Sequence, residues 1–148
     1  MEVDLDFSDL LSALNAEQVK YLIVGAHALG FHGRPRSTKD LDIWVQPSAQ
    51  NAARVFRALA NFGVPLDDLS ESELAEEGLV FQIGVPPIRI DIMTSITGVQ
   101  FGDAWASKDK SNYGDVPVWI LSRRHLIANK RATGRTQDMA DLESLQGD

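Results

Sequence analysis

No cysteine occurs anywhere in the 148 residues. That absence excludes a disulfide framework, a zinc–thiolate site and a thiol nucleophile, and it suits a reducing compartment. No apolar run approaches the roughly 18 residues that a membrane-spanning helix needs. The segment Met1 to Leu11 carries Glu2, Asp4, Asp6 and Asp9, where a secretory leader has a basic start and an apolar run. A soluble, cytoplasmic protein with no membrane partner is therefore expected. Positive charge is scarce as well: 14 basic residues face 21 acidic ones, a formal net charge of −7. Broad binding to DNA or RNA rests on neutralising phosphates and is not expected, although a local basic patch is compatible with that total. Repeats and low-complexity tracts are absent, and no linker divides the chain. One domain over residues 1–148 is expected, long enough to bury a sizeable core.

What is present is a regular alternation of helical and extended patterns. Phe7 to Val19 reads as an amphipathic helix with Ser8 as cap and Leu10, Leu11 and Leu14 on one face. Lys20 to Val24 reads as a buried strand ending at Gly25, followed by a short helix over Ala26 to Phe31. Gly33 to Lys39 is a polar, basic loop, and Asp40 to Val45 alternates as a strand does. After Pro47 a helix is expected over Ser48 to Phe62, with Ala53, Phe56 and Ala60 near one face. Asp67 to Glu77 reads as an acidic surface connection with one helical turn. Leu79 to Val85 and Ile88 to Met93 read as neighbouring strands across Pro86-Pro87, and Val116 to Leu121 as a further strand. Helices follow over Ser122 to Thr133, ended by Gly134, and over Thr136 to Leu145, capped by Thr136. Interleaved strands and helices imply an α/β (α+β) domain.

The chemistry concentrates in Asp40-Leu41-Asp42. Residues i and i+2 of a strand project from one face, so two carboxylates stand side by side, which is costly without a cation between them. Asp91, inside Ile-Arg-Ile-Asp-Ile-Met, repeats the oddity: Arg89 and Asp91 share a face opposite Ile88, Ile90 and Ile92. If the two strands are neighbours, three carboxylates converge, and hard oxygen ligands suit Mg²⁺ or Mn²⁺. Taken singly, an Asp-x-Asp is usually a solvated strand edge, and Asp91 could be a structural partner of Arg89 or Lys39. Upstream, Val24-Gly25-Ala26-His27-Ala28 puts a glycine at a strand-to-helix turn, where backbone approaches a ligand closely and free N–H groups attract phosphate. The plain alternative is a tight turn with close helix packing.

At these residues the sequence resembles the nucleotidyltransferases of the DNA polymerase β superfamily. That signature is a Gly-Gly or Gly-Ser after an apolar strand, then Asp-x-Asp or Asp-x-Glu, then a third carboxylate on a later strand. Gly25, the pair Asp40 and Asp42, and Asp91 match it. The segment from Val24 to Val45 looks like the small bacterial branch, which includes minimal nucleotidyltransferases and abortive-infection toxins, and Ile88 to Met93 and the tail from Lys130 to Asp141 are similar to that branch too. One departure is Ala26 in place of the second glycine or serine: a hydroxyl is missing while the backbone N–H remains.

The resemblance implies a nucleotidyltransferase fold, a small mixed sheet flanked by helices with further helices at the C-terminus. It implies two-metal transfer of a nucleoside monophosphate, with ATP the expected donor among nucleoside triphosphates and an acceptor that is a protein, an RNA end or a small molecule. Asp40, Asp42 and Asp91 would be the metal ligands and catalytic residues. Gly25, Ala26, Arg36, Ser37, Thr38 and Lys39 would face the nucleotide, the basic loop neutralising phosphate, and His32 and Gly33 would shape that loop. Lys130 and Arg135 are expected to pair with Asp138 and Asp141 on the surface rather than to reach phosphate. Such short enzymes often work beside a helical partner protein. The alternatives are therefore a toxin–antitoxin component acting mainly through a partner, and a non-catalytic nucleotide-binding module.

Overall fold

A computed structural model describes residues 7–33, 40–85 and 88–146. In chain order the elements are α1 (Phe7–Ala16), β1 (Tyr21–Val24), α2 (Gly25–His32), β2 (Asp40–Val45), α3 (Ala49–Phe62), α4 (Glu71–Leu74), β3 (Val80–Val85), β4 (Ile88–Met93), α5 (Phe101–Ala106), β5 (Asp109–Tyr113), β6 (Val116–Ile120), α6 (Arg123–Thr133) and α7 (Thr136–Gln146). The strands form one mixed sheet in the order β3-β4-β2-β1-β6-β5. β2 runs parallel to β4 and antiparallel to β1, β1 runs parallel to β6, and antiparallel pairs β3/β4 and β5/β6 close the two edges.

The register sorts the side chains onto two chemically different faces. Tyr21, Ile23, Leu41, Ile43, Val45, Ile90, Ile92, Val118 and Ile120 share one face by strand alternation and pairing, and all are buried. α1 lies on this face, contributing Leu10, Leu11 and Leu14 to the same core, and its Asn15 accepts the Tyr21 hydroxyl. Burial of side chains of this size stabilises the fold by about 1.5–3 kcal/mol each. The opposite face carries Asp40, Asp42, Arg89 and Asp91, and further along β2 the fully buried Trp44, which meets Phe101 of α5 edge-on at 5.0 Å. One strand pair thus presents charge at one end and an aromatic cluster at the other.

Local signals explain most boundaries. Ser48 caps α3 through Asn51 N–H, and Gly63 ends it in the left-handed conformation. Asn51 turns inward and bonds both backbone groups of Lys20, tying α3 to the start of β1. Ser70 and Glu73 form a capping box on α4. Ser122 caps α6 and Gly134 ends it.

Three expectations are corrected. α1 already includes Phe7, so Ser8 lies inside the helix and its cap falls outside the described residues. The buried face of α3 is Asn51, Ala52, Val55, Ala58 and Leu59 rather than Ala53, Phe56 and Ala60; small alanines on both faces hide the stripe. The carbonyl of Arg135 accepts the Met139 N–H, which moves the α7 cap one residue before Thr136. β5, Asp-Lys-Ser-Asn-Tyr, has no apolar pattern because it is an edge strand, and pairing with β6 alone defines it. α5 lies between Met93 and Val116, a stretch to which the sequence pattern assigns no element.

Candidate active site

The parallel pairing of β2 with β4 sets Asp42 directly opposite Asp91 and Asp40 opposite Arg89. Asp91 is buried and Asp42 half-buried. The two carboxylates face each other within hydrogen-bonding reach. Burial first, then the charges of Asp91 and Asp40, pushes the Asp42 carboxyl up to about 6, with Arg89 opposing the shift. Arg89 stands between the acids: its Nε is 3.2 Å from Asp91 Oδ1, and one terminal nitrogen is 3.7 Å from Asp40 Oδ2. The expected side-by-side acids on neighbouring strands are present, but Asp40 leans towards Arg89. Among the described residues no three acidic, histidine or cysteine side chains stand close enough to bind one ion.

β1 brings the glycine turn to the same place. Val24 pairs with Asp42, and Gly25 follows at φ +69° as the first residue of α2. A Cβ at Gly25 would lie only 3.1 Å from Asp42 Cγ and overlap its carboxylate oxygen. Glycine is needed there twice over, for the left-handed backbone and for the space Asp42 occupies. Val24 gives α2 no side-chain cap, so the N–H groups of its first turn, that of Ala26 included, receive no acceptor from the N-cap residue. Its far end is anchored: His32 Nε2 donates to the Leu121 carbonyl at 2.7 Å and lies 3.5 Å from Asp109. At Gly33 a Cβ would press on Leu29 and on Ser144 of α7. His32 and Gly33 therefore fix α2 against β6 and α7. Arg36, Ser37, Thr38 and Lys39, read as phosphate-facing residues, lie outside the described residues.

The C-terminal carboxylates behave differently. Lys130 Nζ is 3.3 Å from Asp138 Oδ1 and 3.1 Å from Asp141 Oδ2, and Arg135 Nε is 2.7 Å from Asp138 Oδ2. Pairing was expected, on the surface; instead Lys130, Asp138 and Asp141 are all buried. Arg135, Thr133 and Lys130 hold the Asp138 carboxyl well below the usual carboxylate range, against the effect of burial. This cluster ties α7 to α6.

No protein-family model and no curated protein matches the sequence. Solved structures do match the architecture. A provisionally assigned nucleotidyltransferase from Thermotoga maritima superposes with a TM-score of 0.61 over 95% of this chain and 90% of its own, at 17% identity. This chain has the nucleotidyltransferase fold. The lincosamide antibiotic adenylyltransferase LnuA, in its lincomycin-bound form, superposes with a TM-score of 0.57 over 93% of this chain and 92% of its own, at 16% identity. Within this nucleotidyltransferase fold, the acids and the glycine turn meet at the junction of β1, β2 and β4. Arg89 is the member that sequence reading treated only as a possible partner of Asp91. Its parity with Asp91 in β4 was the available signal; its reach across to Asp40 required the register.

Proposed function

We propose that this chain is a nucleotidyltransferase that moves a nucleoside monophosphate from a nucleoside triphosphate, ATP by preference, to an acceptor hydroxyl. The observation that carries the reading is the Asp42–Asp91 pair, short of positive charge, beside the uncapped first turn of α2. Two carboxylates withdrawn from water and set against each other mark a place where a divalent cation would be held. Asp42 and Asp91 supply hard oxygen donors, and Asp40, two residues along the same face, completes the set once it parts from Arg89. A bound Mg²⁺ or Mn²⁺ would supply charge neutralisation for the triphosphate and the leaving pyrophosphate.

The chain's own groups account for the rest. The N–H groups of Gly25 and Ala26 face phosphate oxygen, as helix starts do. Asp91 takes the proton of the acceptor hydroxyl. Arg89 offers a guanidinium to phosphate when Asp40 turns away. Arg36, Ser37, Thr38 and Lys39 add cationic and hydroxyl contacts from the loop entering β2. The likeness of Val24 to Val45 to the small bacterial branch supports placing the chain there, with a helical partner protein as a companion. The adenylyltransferase among the structural neighbours supports ATP as donor.

The test is calorimetric titration with ATP, GTP, CTP and UTP, with and without Mg²⁺, beside Asp42→Asn. Metal-dependent binding of one nucleotide, lost in the variant, is the expected result. Equal binding by both proteins would remove Asp42 from the site.

A further inference from the structure

The two edges of the sheet are built differently. β5 carries Asp109, Lys110, Ser111 and Asn112 along its length, and charge of that kind blunts an edge against a further strand. β3, Val-Phe-Gln-Ile-Gly-Val, carries no charged residue and no proline. It ends the sheet beyond β4, and among the described residues no strand pairs with its outer side. Val80 is 58% exposed, the most exposed of the large apolar side chains described. The backbone is open as well. At the entry to β3 the Leu79 carbonyl accepts the Thr94 N–H, and the Leu79 N–H donates to the Thr94 hydroxyl. Leu79 thus turns its polar groups towards β4. In an antiparallel pair that direction alternates from residue to residue, so Val80 and Gln82 turn their N–H and C=O groups outward. Gly84, at φ +82°, departs from strand geometry, which leaves Val80 to Ile83 as the free edge.

The chain leading to this edge is strongly acidic. Asp67, Asp68, Glu71, Glu73, Glu76 and Glu77 are all exposed, and residues 58–88 contain no lysine or arginine. The Gly78 N–H donates to the Ser95 hydroxyl, which pins the chain beside the start of β3. Glu77 immediately precedes that point and lies within about 10 Å of Val80 at the rise of an extended chain. The edge also flanks the candidate site. Gln82 is opposite Asp91, which is opposite Asp42. A strand added to β3 would stand two spacings, about 10 Å, from β4, and its alternate side chains would extend the face that carries Asp42 and Asp91.

We propose that the β3 edge docks an extended, basic segment of a partner protein, which pairs through its main chain with Val80 and Gln82 and sets a lysine or arginine against Glu76 and Glu77. The inference goes beyond the transferase reading and does not depend on it. Outward N–H and C=O groups select an extended segment, because a helix has already satisfied its own backbone. Main-chain bonds supply the affinity of such a docked strand, and the exposed Val80 gives it an apolar contact. Charge selects the kind of partner. A second copy pairing β3 with β3 would bring two acidic segments to one interface with no cation in either, and like charges set together oppose association. A basic segment reverses the sign of that term and is steered to the edge by it.

The test is NMR of the isotope-labelled full chain with the peptide Lys-Lys-Val-Thr-Val-Thr-Lys, taken to millimolar concentration at low salt and without nucleotide. Binding is expected to shift the Val80 and Gln82 amide signals and to slow their hydrogen exchange, while the β5 amides stay as they are. Val80→Pro removes an outward N–H and spares the ladder to β4, so it should weaken the peptide about tenfold. Glu76→Gln/Glu77→Gln should weaken it about fivefold at about 50 mM salt and leave it unchanged at about 1 M. Circular dichroism checks that each variant is folded. A peptide methylated on alternate backbone nitrogens makes the same test on the unaltered chain and should not bind. The proposal is overturned if the plain peptide does not bind, if the protected amides lie elsewhere, or if the methylated peptide binds as the plain one does. It is overturned equally if a peptide with glutamate in place of lysine binds as well, or if the free chain protects Val80 and Gln82 as its own concentration rises, which would make the occupant a second copy. Because no nucleotide is present, failure here leaves the carboxylate site standing, and failure of Asp42→Asn to lose nucleotide leaves the edge standing.

Discussion

Two pairs of aspartates lie within this chain, and their surroundings drive them in opposite directions. Asp138 and Asp141 sit among Lys130, Arg135, Thr133 and Gln137, and each carboxylate oxygen has a cation, hydroxyl or amide near it. Asp42 and Asp91 are also withdrawn from water but meet each other, with Arg89 the cation beside them. The first pair is matched by cations of the chain itself and holds two helices together. The second is short of positive charge, and its Asp42 carries a cost in the folded state. A stabilising ion cluster is neutralised by the chain itself, whereas a site for a cationic or phosphate ligand is left short of charge.

Asp42→Asn is the sharpest way to break this contrast. Transfer activity, measured with labelled nucleotide, should fall by more than about 100-fold, the loss typical even of groups one shell out from a metal. The same variant should be more stable than wild type at neutral pH in chemical denaturation, because it removes a carboxylate held above its unfolded value; about 1–3 kcal/mol is the upper range. A variant both inactive and destabilised would place Asp42 with the structural aspartates.

Asp138→Asn should do the reverse. Leaving Lys130 and Arg135 without their partner in a buried cluster should cost about 3–5 kcal/mol, read as a lowered unfolding midpoint, while nucleotide affinity of the folded fraction stays unchanged.

Gly25→Ala tests how closely the turn and Asp42 are fitted. Strain at φ +69° together with the overlap on the carboxylate should destabilise by about 1–3 kcal/mol and lower activity more than stability.

The smallest effect concerns pH and Arg89. Asp42 has its folded pKa above its unfolded one, so the folded state binds the extra proton between about 4 and about 6, and stability in the absence of ligand should fall as pH rises through that window. Asp138 has the opposite sign: its contribution is present above about pH 4 and is lost as pH falls below it. Arg89→Gln should raise the Asp42 midpoint above about 6, by roughly 1 unit, in an NMR titration of the side-chain carboxyl. An unchanged midpoint would mean that Arg89 is not the cation Asp42 senses.

Much of this was legible in the residues. The alternation of Asp40 to Val45 and Ile88 to Met93, the glycine after Tyr-Leu-Ile-Val, and the caps Ser122 and Gly134 follow from local sterics and hydrogen bonding, which act over a few residues. The order of the sheet does not. No property of the chain between Val45 and Ile88 states that β4 will lie beside β2, or that Asp42 will face Asp91 rather than Asp40. Edge strand β5 was invisible because its ladder is made by β6, and the Lys130 cluster was placed on the surface because charge suggests solvent.

The sequence by itself determined which residues carry charge on a strand face, where a backbone turn demands glycine, and that the chain has carboxylates enough for metal chemistry. The tertiary structure decided which carboxylates face each other and which are paired with cations, and that Lys130 is buried between two of the latter. The physical reason is range: side-chain parity and turn geometry are local, whereas burial and the net charge around a group are sums over elements far apart in the chain.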